Sequence, residues 1–218
     1  MKNFIFKFSI YILGMFILTL GVVLFLKANL GSGSWDAFNY HLHLITNKKL
    51  TLGMASQITA FVFLLIVILY HRKKKYLFSI IPILITGFFL DFWNLLIFKD
   101  FSVNIIYYRI LLFILALITL PLGLSIMKQS GLATKVIDEL TAILMVETKI
   151  YSFAKVRIGF EFLGLFLAIL LGLLYNGKLN EVSFGTLIIS FFLGPIISMF
   201  DLVFIKIKNY FNKGDMSE

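Results

Sequence analysis

Apolar residues fall in six long blocks along this chain, at about 4 to 27, 51 to 70, 77 to 98, 104 to 127, 152 to 175 and 183 to 205, with short polar stretches between them. A helix that crosses the hydrocarbon core needs about 20 predominantly apolar residues, so each block predicts a transmembrane helix. Two further segments, 28–49 and 128–149, are too polar and too short to cross. Each opens with small residues: Gly31, Ser32, Gly33 and Ser34 in one, Ser130, Gly131, Ala133 and Thr134 in the other. Each then turns amphipathic, most clearly where Ile137, Leu140, Ile143 and Leu144 alternate at helical spacing with Asp138, Glu139 and Thr141. Ser34 or Asp36 in the first segment and Thr134 in the second suit the N-cap of a short helix.

The pattern occurs twice. Gly21, Leu30 and Asp36 in GVVLFLKANLGSGSWD return with one constant offset as Gly123, Leu132 and Asp138 in GLSIMKQSGLATKVID, and further on Gly87 and Asn94 match Gly194 and Asp201. The expected units are residues 1–103 and 104–218, together one membrane domain. Three spans per unit is an odd number, so the second unit enters the membrane upside down relative to the first. The predicted fold is an all-α polytopic membrane protein: six transmembrane helices in two inverted three-helix repeats, each with a short re-entrant or interfacial segment. Re-entrant segments would bring glycine-rich backbone and helix N-termini together around a solute, favouring an anion or an acceptor-rich substrate. Interfacial ones would lie flat and link spans.

Composition agrees with a bilayer as solvent, at 60% hydrophobic and 14% charged. The first block is read as a retained helix, because its uncharged part exceeds a signal-peptide core and no small-residue cleavage site follows. With no cysteine, disulfides, thiolate metal sites and lipidation through Cys are excluded. A net charge of +9 would point a soluble protein toward nucleic acid, but here Lys and Arg cluster at helix ends, as in HRKKK from His71 to Lys75. With a cytoplasmic N-terminus the outside keeps only Lys27, Lys48, Lys49, Lys99, Arg109 and Lys178. That bias places both termini in the cytoplasm and leaves no nucleic-acid partner to infer.

Polar residues inside spans carry the candidate chemistry. Asp91 in FFLDFWN costs about 2.5 to 3.5 kcal/mol at a helix centre, so it is expected to face the bundle interior, as an ion-coupling group or a packing acid. Arg157 and Glu161 stand one turn apart and predict an intramembrane ion pair. Arg157 is also a candidate anchor for an anionic substrate. Asp201 reads as a surface ion pair, a few residues before Lys206. Trp35, Trp93, Tyr107 and Tyr108 read as interfacial belt residues. His41 and His43 read as solvated, since alternate residues on a helix do not face each other and no third metal ligand is implied. Pro121 and Pro195, beside Gly123 and Gly194, predict local unwinding.

KANLGSGSWDAF after the first span, SGLATKVIDEL in the second copy, KVRIGFE at the fifth span and SFGTLIISFFLGPIISMF in the sixth resemble the YczE/YitT-like bacterial integral membrane proteins, most closely the YczE branch. The resemblance runs from Gly21 to Ile205, and Asn29, Gly31, Trp35, Asp36, Gly131, Asp138, Arg157, Glu161, Gly185 and Gly194 match its pattern. The chain departs from it at Ser34, where Pro is usual, and at Ala133, Lys135, Val136 and Ile137, where a Gly-rich run with Pro and Arg is usual. The resemblance implies a multi-pass protein of the bacterial inner membrane and names no substrate.

The functional expectation is a secondary transporter or permease for a small polar or anionic solute. Its candidate binding residues are Asn29, Gly31, Ser34, Trp35, Asp36, Gly131, Thr134, Asp138 and Arg157. Asp91 and Glu161 are the ion-coupling or structural charges. The alternative is a non-transporting membrane protein with an assembly or regulatory role. Besides the lipid bilayer and a small solute, the partners left open include a second copy of the chain. No catalytic residue, metal or cofactor is implied. There is no phosphate-binding P-loop sequence, Asp91 and Asp201 approach opposite faces, and no span holds a Ser with a credible His base.

Overall fold

The computed structural model describes residues 2–132, 136–150, 152–177, 179 and 181–214, so Ala133, Thr134, Lys135 and Lys178 lie outside the described residues. Eight α-helices form: α1 (Lys2–Ala28), α2 (Ser34–Ile45), α3 (Leu52–His71), α4 (Ile80–Asp91), α5 (Ile106–Gln129), α6 (Val136–Glu147), α7 (Phe153–Asn176) and α8 (Phe184–Gly214). A 3-10 turn over Lys74–Ser79 leads into α4, and a π-helical turn over Phe92–Ile97 extends it. Six helical stretches are long and apolar enough to cross a membrane, at the positions the apolar blocks predict. The chain is therefore an all-α, multi-pass membrane protein, and the two amphipathic segments become α2 and α6.

The bundle is organised around α1 and α5, which run antiparallel. Phe25 meets Phe113 edge-on with ring centroids 5.1 Å apart, while Gly14 at the other end lies against Met127 and Gly123. A Cβ on Gly21 would come within 2.6 Å of the Leu120 amide nitrogen, so the two backbones approach as closely as small-residue interfaces in membranes permit. Pro121 is fully buried in this interface, and α5 and α8 run unbroken through Pro121 and Pro195. The expected unwinding is absent at both prolines: each removes one backbone bond, and the helix on either side keeps its own.

Each central helix has a flanking partner. On α4's side, the Trp93 indole donates to the Phe16 carbonyl of α1 at 3.1 Å. On α8's side, the Ser125 hydroxyl of α5 donates to the Ile197 carbonyl at 3.2 Å. The remaining spans differ. α3 runs antiparallel to α4, with Gln57 Nε2 donating to Leu84 O at 3.0 Å, whereas α7 packs against α2 and α6 and, among the described residues, not along α8.

The short helices lie alongside spans. At the start of α2, the Trp35 ring meets Phe63 of α3 and Phe160 of α7 at 4.8 and 4.7 Å between centroids and fills the space beside Gly164. Phe63 and Gly164 stand near the middle of their helices. From there α2 climbs past Thr59, which donates to Asn39 Oδ1 at 2.6 Å, to the end of α3 where His43 reaches the Leu50 carbonyl. α6 goes the other way. Leu140 and Ile143 pack with Leu64 and Val67 of α3, and Glu147 accepts from Tyr70 at 2.8 Å near the end of that helix. α2 thus starts near mid-length of α3 and α7, α6 starts on the same apolar cluster with Asp138 at Arg157 in the first turns of α7, and the two run toward opposite ends of α3. The near end is taken as the one where α1 begins and α8 finishes, and the far end as the other.

Candidate functional site

Between the two starting points lies an apolar cluster of Leu64, Val67, Tyr76, Ile83, Leu140, Ile143 and Phe160, and Trp35 from α2 and Val136 and Ile137 from α6 pack against it. The first residues of the two short helices therefore share one contact zone. Trp35, read from sequence as a belt residue, is the centre of it, because Gly164 leaves room for an indole within the bundle. Trp93 is likewise turned inward onto Phe16, while Tyr107 and Tyr108, exposed at the start of α5, keep positions suited to a belt.

On the near side of this zone stands an ionic group. Arg157 Nη1 lies 2.7 Å from Asp138 of α6 and Nη2 3.0 Å from Glu161, one turn further along α7. The i,i+4 pair expected from sequence forms, and α6 adds a second carboxylate to it. One guanidinium held by two carboxylates is already neutralised, so in this conformation Arg157 offers little to an anion.

On the far side stands a buried polar group. After α1 the chain turns through Asn29 and Gly31, both at positive φ. Arg109 of α5 holds the carbonyls of Ala28, at 2.8 Å, and of Asn29. The Leu30 carbonyl accepts from Gly185 N–H at 3.0 Å and from the Ser183 hydroxyl, tying this turn to the start of α8. A side chain on Gly31 would strike the Thr186 amide, and one on Gly185 the Leu30 carbonyl. Ser32 N–H donates to the Glu181 carbonyl at 3.1 Å, and the Thr186 hydroxyl donates to the same oxygen at 3.2 Å.

The Glu181 side chain is 3% exposed, and among the described residues its Oε2 has no hydrogen-bond partner; nor do Ser32 Oγ and His41 Nε2. Burial pushes the Glu181 carboxyl up to about 8, opposed in part by the Arg109 guanidinium. Burial likewise raises the Tyr40 phenol to about 12, helped by the charges of Glu181 and Tyr175, and lowers His41. His41 is fully buried, where sequence predicted a solvated ring. α3 and α7 pack against α2, and the ring is retained by its Nδ1, 2.8 Å from the Ala37 carbonyl, with the Leu179 backbone of the α7–α8 connection as a second polar neighbour.

The remaining candidates separate. Asp36 sits in the first turn of α2 with its carboxylate against Gly33, and Gly33, not Ser34 or Asp36, is the N-cap. Ser34 is buried beside Trp35 at the start of α2. Gly131, at φ +64, closes the turn after α5 with open space beside it. Asp91 belongs to none of these groups: it accepts from the Thr51 hydroxyl and, at 2.8 Å, from Gly53 N–H, so it seals the start of α3 onto α4. Asp201 pairs with Lys128 of α5 at 2.9 Å and accepts from Ser125, not with Lys206 on its own helix. Sequence reasoning passed over Glu181, Tyr40 and Arg109 as members of a site. The signal for Glu181 was an acid in a short connection beside a Ser-Phe-Gly-Thr helix start, visible as a site only once the Gly31 turn docks there.

The model of a family described as "Family of unknown function (DUF6198)" matches residues 5–202. A curated relative, "Uncharacterized protein YyaS" from Bacillus subtilis (strain 168), is 30% identical over 140 residues, covering 63% of this chain and 68% of the relative. No solved structure matches. The family match extends over nearly all of the spans, and the chain belongs to that family of membrane proteins.

Proposed function

We propose that this member of the family is a secondary transporter or permease for a small polar solute, built from inverted repeats 1–103 and 104–218 with both termini in the cytoplasm. The observation that carries the reading is that the first residues of α2 and α6 pack on one apolar cluster between α3 and α7. From it the two helices run toward opposite ends of α3. Helix starts that meet inside a bundle turn their free N–H groups toward a shared centre, the arrangement that transporters use to hold solutes. The antiparallel α1 and α5, each flanked by the third span of its own half, support the inversion. So does the pairing of each short helix with the second span of the opposite half.

Here the centre is filled by Trp35, Phe63 and Phe160, with the ionic group on one side and the buried polar group on the other. This is the arrangement of a carrier closed at both ends, with an aromatic plug that rearranges when a solute enters. The same filling favours a second reading, a non-transporting membrane protein acting through lateral contacts. Two carboxylates on the one guanidinium favour a neutral polar solute over an anionic one. Thermal stabilisation and proteoliposome uptake, screened over amino acids, vitamins and small anions, separate the readings. One class should both stabilise the protein and be taken up, with uptake reduced at least tenfold in Asp36→Asn and Arg157→Gln. Binding by none, with the cellular phenotype intact in both variants, would leave the lateral-contact reading.

A further inference from the structure

Buried carboxyls are normally tied to a cation or to several donors, because an unpaired ionised group in a dry site is costly. Glu181 is otherwise placed. It is 3% exposed, its Oε2 is unpartnered, and Ser32 Oγ and His41 Nε2, both fully buried on the segment packed against it, are unpartnered too. Among the described residues, Arg109 of α5 and Tyr40 of α2 interact with its charge, Tyr175 of α7 acts on Tyr40, and the Thr186 hydroxyl of α8 donates to its backbone carbonyl. Arg109 is the cation among these, and its guanidinium is occupied by the Ala28 and Asn29 carbonyls. A positive neighbour disfavours a metal cation. A buried carboxyl whose Oε2 meets no donor among the described residues avoids an uncompensated charge by carrying a proton itself.

We propose that Glu181 is an exchangeable proton site, loaded while the Gly31–Ser32 turn is docked on the α7–α8 connection and emptied to water at the far end of the bundle when that contact opens. Among the described residues the docking is made by Ser32 N–H on the Glu181 carbonyl and by Gly185 N–H and the Ser183 hydroxyl on the Leu30 carbonyl, with Gly31 packed on the Thr186 backbone. Breaking those three bonds exposes the carboxyl; Oε2 then gives its proton to water and is left as a carboxylate facing Arg109. As the coupling site of a carrier it rests on the transporter reading. As a proton site it does not.

The test is infrared difference spectroscopy on the purified full-length protein between pH 5 and 10, with no solute added. The wild type should show a protonated-carboxyl C=O band that disappears with a midpoint near 8, in the region to which burial raises this group. The band should be missing from Glu181→Gln and shifted in Glu181→Asp. The aspartate variant supplies the comparison if the glutamine variant does not fold. A carboxyl already ionised at pH 6, or a band that persists unchanged in both variants, overturns the proposal. Uptake is then scored separately: solute transport whose rate is independent of an imposed proton gradient leaves the carrier and removes Glu181 as its coupling site. Titration of Glu181 with no uptake of any solute keeps the proton site and removes the carrier.

Discussion

The two short helices, α2 and α6, stand at matching places under one constant offset in sequence and are held in place by different chemistry. Under the offset that takes Asp36 to Asp138, Asn39 and Thr59 fall on Thr141 and Glu161. In the first half those two residues bond each other directly, buried and uncharged, at 2.6 Å. In the second, Thr141 turns back to its own Ile137 carbonyl, and Glu161 turns to Arg157, which reaches across to Asp138. Trp35 anchors the start of α2 in an aromatic nest where α6 has only Ile137. Neutral buried bonds are costly to break, and half-exposed ion pairs contribute roughly 0 to 1 kcal/mol each. Arg157, Asp138 and Glu161 are all partly exposed. α2 is therefore the fixed member of the pair and α6 the one that moves at small cost.

The largest break in this comparison is at the aromatic anchor. Trp35→Ala should cost about 3 kcal/mol in thermal or denaturant stability, in the range of large-to-small changes in packed sites. The matching change on α6, Ile137→Ala, should cost clearly less, and equal losses would mean that the two helices are held alike. A finer distinction comes from the tethers. Thr59→Val strands Asn39 Oδ1 and should cost about 1 to 3 kcal/mol whatever the ionic strength. Arg157→Gln should cost about 1 kcal/mol at low salt, and the gap to wild type should narrow as salt rises. Salt sensitivity at Thr59 and none at Arg157 would reverse the assignment.

Stability should also carry the Glu181 site. Because its folded pKa of about 8 lies above that of the unfolded chain, the native state holds a proton between about 4.3 and 8 that the unfolded state has lost. This group's contribution is complete below about 4.3, falls as pH rises, and is gone above 8. The difference between wild type and Glu181→Gln should follow that slope.

Much of the architecture was legible in the chain because it depends on length and period. Six spans follow from six apolar blocks, and the Arg157–Glu161 pair from a spacing of four. What sequence could not supply were contacts whose partners lie far along the chain. Asp91 reads as either a coupling group or a packing acid until Thr51 and Gly53 are seen to donate to it. Trp35 reads as a belt residue or, beside Asp36, as a binding residue, because nothing local announces that Gly164 makes room for an indole. His41 reads as solvated because what packs around α2, namely α3, α7 and Leu179, lies elsewhere in the chain, and Glu181 is an ordinary loop acid until the Gly31 turn covers it.

The central claim is that α2 and α6 begin inside the membrane and diverge from there. The chain is free of cysteine, so nitroxide labels at single cysteines placed at 34, 45, 136 and 147 can be ranked for bilayer depth by power saturation in proteoliposomes. Positions 34 and 136 should lie deep and close to one depth, with 45 and 147 near opposite headgroup regions. All four at headgroup depth would contradict it, and with it the shared centre on which the carrier reading stands.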